Sequence, residues 1–299
     1  MRDRFISELT NQAEKDDNLI LIVGDLGYGV IDNFEKKFPK QFINAGVAEQ
    51  NMIGMASGLA KLGYKVFVYS IANFPTFRCL EQIRNDISYH NLDVSIVSIG
   101  AGFSYGTLGN SHHATEDLAI MRAIPNLRIY SPCDPNMVGE SFQDALNYHG
   151  PKYFRLGKSG EVNISELSTG LVSSLIGKGE ENLIIVTGSI ISEVILAAKE
   201  LNTTKVTTSI LPVNLIKPLS IDLNILTKYK KIFVVEEHSI VGGLGSSVID
   251  YLQSQNIQIA VKLIAIPDQT NTAIGSQSYL RSLFKLDAKG IADTIRQGI

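Results

Sequence analysis

Short, almost uninterrupted apolar runs recur along this chain, each followed by a stretch of helical periodicity, and that alternation limits what it can fold into. Leu19–Val23, Lys65–Tyr69, Val94–Ile99, Leu127–Tyr130 and Lys152–Leu156 read as strands, and Leu183–Thr187, Val206–Ile210, Lys231–Val235 and Val261–Ile266 continue the series. Several of these runs have no polar alternation and therefore no solvent face, so both sides need cover. Mainly parallel sheets sandwiched by the intervening helices supply it. Helices are expected near 48–62, 75–89, 116–123, 135–148, 190–201, 243–254 and 287–297. Asp134-Pro135 shows the local logic: an N-cap carboxylate accepts from a free helix N–H, and proline suits the first helical position. Between Gly157 and Glu180 the chain turns glycine-rich and charged, with Gly-Lys-Ser-Gly-Glu and Gly-Lys-Gly-Glu-Glu around a modest β-like stretch. The expected fold class is therefore α/β, two three-layer α/β/α domains: 1–160, a linker over 161–180, and 181–299.

Composition removes several function classes. A formal net charge of −3 with no basic stripe argues against a nucleic-acid binder. No apolar run reaches the roughly 18–20 residues of a membrane span. Cys79 and Cys133 are the two cysteines, far apart and without ligand spacing, so neither a disulfide framework nor a zinc module is expected. The charged, helical start carries no apolar signal region, and a cytoplasmic location is expected.

Four groups of residues are candidates for chemistry. Glu49 sits where the loop Asn44-Ala-Gly-Val-Ala48 turns into a helix. Acidic residues favour a helix's first turn for dipole reasons alone. Here, small and apolar neighbours point to burial, where a carboxyl group holds a proton more readily. Phe74 and Phe77, spaced i, i+3 around Pro75, pack a helix face or form an aromatic shelf for a planar ring. The glycine clusters Gly24–Gly29, Gly100–Gly106 and Gly242–Gly245 lack the strand–glycine–helix spacing of a dinucleotide loop, so close backbone packing is the better reading. His112 and His113 are adjacent and cannot jointly grip one metal. Their loop is polar and donor-rich, which suits a substrate contact.

Taken in order, Gly46-Val-Ala-Glu49-Gln-Asn-Met-Ile-Gly-Met-Ala-Ser-Gly58, Phe74–Arg84, Ser111-His112-His113, Ile124-Pro-Asn-Leu-Arg-Ile-Tyr-Ser-Pro-Cys-Asp-Pro135 and Glu236-Glu-His-Ser-Ile-Val-Gly-Gly-Leu-Gly245 resemble the C-terminal half of transketolase and deoxyxylulose-phosphate synthase. These are thiamine-diphosphate enzymes, and that half comprises a pyrimidine-binding domain and a smaller C-terminal domain. The resemblance implies that Glu49 bonds the aminopyrimidine ring nitrogen, favouring the tautomer that lifts the thiazolium proton. It further implies that Phe74 and Phe77 line the ring's pocket and that Asp25 lies near the coenzyme at a subunit interface. His112 would face the substrate, with His113 beside it, and Arg155 would clamp an acceptor phosphate.

Two departures qualify the resemblance. No Gly-Asp-Gly followed by Asn some 25 to 30 residues on, the family's metal–diphosphate motif, occurs here, and Gly24-Asp25-Leu26 does not qualify. Magnesium and diphosphate would then be held mainly by a partner subunit, and a heterotetramer of two chains of each kind is the expected assembly. Second, the loop Gly100–Ser111 has Gly100 and Leu108 where typical transketolases carry a histidine and an aspartate, so the sugar or sugar-phosphate substrates would differ. The expected activity is transfer of a two-carbon ketol unit from a ketose donor to an aldose or aldose-phosphate acceptor. The alternatives are a deoxyxylulose-phosphate-synthase-like or 2-oxo-acid dehydrogenase β-like subunit and, more distantly, a nucleotide-binding oxidoreductase or a non-catalytic structural subunit.

Overall fold

The computed structural model describes residues 1–161, 163–164 and 174–299, so half of the expected 161–180 linker lies outside the described residues. Twelve strands are described. They are β1 (Leu19–Val23), β2 (Phe42–Asn44), β3 (Lys65–Ile71), β4 (Val94–Ile99), β5 (Arg128–Tyr130), β6 (Lys152–Leu156), β7 (Ile176–Gly177), β8 (Asn182–Val186), β9 (Thr208–Pro212), β10 (Leu215–Lys217), β11 (Lys231–Ser239) and β12 (Ala260–Ile266). They form a seven-stranded sheet in the order β10-β5-β6-β4-β3-β1-β2 and a five-stranded sheet in the order β12-β11-β8-β9-β7. Pairing is parallel except at one edge of each sheet, where β10 and β7 run antiparallel. The fold is α/β, as the apolar runs require.

Period-two burial explains the layers. In β1, Leu19, Leu21 and Val23 join a cluster with Phe5, Phe34, Phe67, Phe142 and Phe154, while Ile20 and Ile22 face the other way. That second cluster does not stop at the first sheet. It takes in Val66 and Ile96 from the first sheet together with Leu183, Ile185 and Val234 from the second, so one apolar layer lies between them. Further integration comes from β10: residues 215–217 follow β9 in the chain yet form the edge of the first sheet beside β5.

Helix starts follow the capping rules. Asp134 Oδ1 accepts from Met137 N at 2.9 Å, with Pro135 opening the helix Pro135–Asn147. The single helix expected over 75–89 is absent. In its place run a 3-10 turn (Phe77–Cys79), a short α segment (Leu80–Gln82) and a π turn (Ile83–Ser88). Side chains compete for the backbone at its start: Thr76 Oγ1 donates to the Ala72 carbonyl at 2.6 Å and Cys79 Sγ to that of Phe74 at 3.3 Å. The backbone carrying the aromatic shelf is thereby turned away from regular helix.

Candidate active site

Because β1, β2, β3, β4 and β6 run parallel, their carboxyl ends share one edge of the first sheet. Ligand sites of open α/β sheets lie outside that edge. Glu49 opens the helix Glu49–Lys61 after β2; Phe74, Phe77 and Arg78 follow β3; Tyr105 and His112 follow β4; Lys158 follows β6.

These side chains form a continuous row. The Glu49 side chain is 3% exposed, and its Oε2 accepts from Arg78 Nη1 at 2.7 Å. The Arg78 guanidinium lies 4.8 Å above the Phe74 ring, and His112 packs edge-on against that ring at 5.2 Å. Tyr105 meets His112 edge-on at 6.4 Å, and the Lys158 ammonium lies 5.1 Å from the Tyr105 ring centroid. Phe77 and Arg78 border a cavity of about 450 Å³ with Asn73, Ser111, His113 and Glu116.

The histidine pair divides. His112 is half-buried; burial, and then the neighbouring His113, hold its pKa below the usual imidazole value. His113 is buried with its ring turned inward, Nε2 lying 3.2 Å from the Gly106 carbonyl and Nδ1 3.5 Å from the Asn271 amide. Those partners assign the hydrogen to Nε2 and leave both nitrogens occupied, so His112 is the one with a ring toward the row. Asn73 Nδ2 donates to the carbonyls of Ser111 (3.1 Å) and His113 (2.6 Å) and so holds their turn over the shelf. Its Oδ1 is buried without a partner among the described residues, an acceptor left over beside the cavity.

Asp25 follows β1 and is exposed, in the left-handed region at φ 55°. Hydrogen bonds from Asn44 Nδ2 (3.1 Å) and Tyr28 Oη (2.8 Å) hold its carboxyl below the ordinary carboxylate range. Tyr28, three residues on, and Val47, in the loop after β2, are 75% and 76% exposed, which places large apolar groups on loops of the same sheet edge.

Arg155 requires a correction. Expected to clamp a phosphate, it is wholly buried in β6, with Nε bonded to both Asp117 oxygens (3.1 and 2.9 Å) and Nη2 to the carbonyls of Ala114 (2.8 Å) and Glu237 (3.0 Å). Tyr153 Oη donates to the same Asp117 at 2.6 Å. A guanidinium so enclosed has no face for a ligand. It joins the two sheets instead. The segment Glu236–Gly245 serves the same junction: Glu236 caps the helix Leu244–Ser254 through the N–H groups of Leu244 (2.7 Å) and Gly245 (2.8 Å). Glu237 accepts from Phe103 N at 2.5 Å and is paired with Arg281. His238 accepts at Nε2 from Ala119 N at 3.3 Å while Nδ1 lies 2.8 Å from the Ser239 carbonyl.

The altered loop has a physical account too. Gly100 sits at φ +105°, and a Cβ there would run into the ring of Tyr105, which fills the space over it. Leu108 is exposed. Sequence reasoning gives Tyr105 and Lys158 no role and takes in Asn73 and Arg78 only as the ends of the aromatic run Asn73–Arg78. Nothing in the spacing places a guanidinium on a carboxylate 29 residues away.

A family model described as the transketolase pyrimidine-binding domain matches residues 1–160, and one described as the transketolase C-terminal domain matches residues 173–291. The chain belongs to the transketolase family. Among transketolase relatives, it is 31% identical to a subunit of the apulose-4-phosphate transketolase of Phocaeicola vulgatus, over 98% of this chain and 95% of the relative. It is 32% identical to a 6-deoxy-6-sulfo-D-fructose transketolase subunit of a Clostridium species, over 97% and 92% of the two chains. A solved structure described as a split-gene transketolase, inactive beta4 tetramer, superposes with a TM-score of 0.83 at 28% identity, covering 99% of this chain and 96% of that one. Among the described residues no helix is long and apolar enough to cross a membrane.

Proposed function

We propose that this chain is the pyrimidine-binding and C-terminal subunit of a split, thiamine-diphosphate-dependent transketolase, active with a partner that holds magnesium and the diphosphate. One observation carries the reading: a buried carboxylate and an aromatic face already hold a planar, nitrogen-rich cation between them, Arg78 on Glu49 and Phe74. An aminopyrimidine needs the same two surfaces, so the residues present fit the coenzyme. When bound, thiamine diphosphate supplies the carbanion equivalent that accepts and donates the two-carbon unit. Glu49 holds the proton at the ring nitrogen, Phe74 and Phe77 orient the ring by stacking, and His112, kept neutral near pH 7, contacts the sugar. Asp25, with Asn44 and Tyr28, belongs to the face the partner covers, beside Val47.

The substrates are sugars with an anionic end. Relatives named for a phosphorylated and a sulfonated sugar support this, and Lys158, not Arg155, supplies the cation at the far end of the row. Two of these chains with two partner chains make the heterotetramer, in the cytoplasm, where Cys79 and Cys133 stay reduced. The division into 1–160, a linker over 161–180 and 181–299 stands as part of the reading, with residues 215–217 lent back to the first sheet.

The test is reconstitution. The chain assembled with its diphosphate-binding partner transfers a glycolaldehyde unit from a ketose, and the isolated chain does not. Glu49→Ala in the assembly lowers turnover by roughly 10²–10⁴ with little change in melting temperature. Full turnover by that variant, or by the chain alone, refutes the proposal.

A further inference from the structure

We propose that Arg78 occupies the place of the coenzyme's aminopyrimidine ring in the empty chain and has to leave before that ring can enter; this rests on the role assigned to Glu49 above. The guanidinium makes both contacts the ring requires. Its Nη1 donates to Glu49 Oε2 at 2.7 Å, and its Cζ lies over the Phe74 ring, 4.8 Å from the centroid. Both groups are flat and delocalised and meet the Glu49 carboxyl through a nitrogen, so the same carboxyl and aromatic face serve either one. They cannot serve both together.

The arrangement lets Arg78 leave without disturbing the core. Its side chain is 48% exposed against 3% for Glu49, so it closes over the carboxylate from the solvent side. Its backbone stays tethered, because its carbonyl accepts from Gln50 Nε2 at 3.1 Å, while the long side chain is free to rotate about its own bonds. A second carboxylate is at hand: Glu116 borders the same cavity as Arg78. Glu116 accepts from Thr115 Oγ1 at 2.8 Å and keeps further acceptor capacity for a guanidinium.

Competition of this kind has a defined consequence. The coenzyme binds only the fraction of molecules whose Arg78 has swung away, and its apparent dissociation constant rises by the inverse of that fraction. Arg78 also keeps the Glu49 carboxylate from being buried unpaired while the site is empty.

Isothermal titration of the assembled enzyme with thiamine diphosphate and magnesium tests this directly. Arg78→Met removes the competitor, and binding tightens roughly 1.5- to fivefold, the range expected for a half-exposed ion pair, with a faster on-rate. Arg78→Lys keeps the charge without the planar guanidinium and falls between the two. Weaker or unchanged binding by Arg78→Met overturns the inference and shows that Arg78 holds the coenzyme or ignores it. Absence of saturable binding by the wild-type assembly overturns the functional reading itself, and this inference with it.

Discussion

Arg155→Met offers the sharpest separation between a ligand clamp and a structural clasp. The guanidinium is fully enclosed, bonded by Nε to Asp117 and by Nη2 to two carbonyls, and Asp117 is itself wholly buried. Deleting the cation leaves the carboxylate with the Tyr153 hydroxyl still donating to it but no guanidinium to balance its charge. Breaking a buried pair from one side costs about 3–5 kcal/mol, because the surviving charge is uncompensated. At roughly 2 °C per kcal/mol or more, the melting midpoint falls by about 6 °C at least. Urea denaturation of the purified chain, followed by circular dichroism, measures the same loss without any substrate present. The double variant Arg155→Met/Asp117→Asn removes the orphaned charge as well and recovers part of the stability, so the two substitutions are strongly non-additive. A loss below about 1 kcal/mol, accompanied by a raised KM for a phosphorylated acceptor, refutes the clasp and restores the clamp.

Lys158, His112 and the two cysteines each carry a further expectation. Lys158→Ala raises KM for an anionic sugar about tenfold while kcat stays nearly unchanged, as loss of one charge-assisted contact requires; an equal rise for an uncharged sugar counts against it. His112 titrates below the usual imidazole value in the fold, so the unfolded chain binds that proton more readily; the stability it contributes is complete above about pH 6.5 and lost as pH falls through the lower folded value. In the assembled enzyme the acid limb of kcat/KM has its midpoint below about 6.5, and His112→Asn flattens it; a limb unchanged in the variant assigns the titration elsewhere. Burial, reinforced by the Glu49 carboxylate, pushes the Cys79 thiol up to about 12, and burial raises Cys133 further. Both therefore resist a thiol reagent at pH 8 in the native chain and react together on denaturation, and rapid native labelling contradicts that burial.

The core is legible wherever one local rule acts alone. A continuous apolar run marks β1 to the residue, since a strand covered on both faces admits no polar alternation; β4 and β6 also match to the residue, although Ser95, Ser98, Lys152 and Arg155 interrupt their runs. Asp134-Pro135 marks its helix for an equally local reason. A regular helix over 75–89 is the wrong reading: Thr76 and Cys79 bond the carbonyls of Ala72 and Phe74 just ahead of it, and the backbone runs as 3-10, α and π turns. Short pieces such as β2, β7 and β10 carry too few residues to show any period.

Fold class was therefore set by the order of residues along the chain, because hydrophobic period and helix starts are near-neighbour physics, while the family was legible in the order of its motifs. Which charges meet was decided only in three dimensions. Arg78 reaches Glu49 across 29 residues, Arg155 reaches the Glu237 carbonyl across 82, and β10 crosses back to the first sheet. Charged groups find partners by distance in the folded state, and a buried guanidinium and an accessible one look the same in a string of letters.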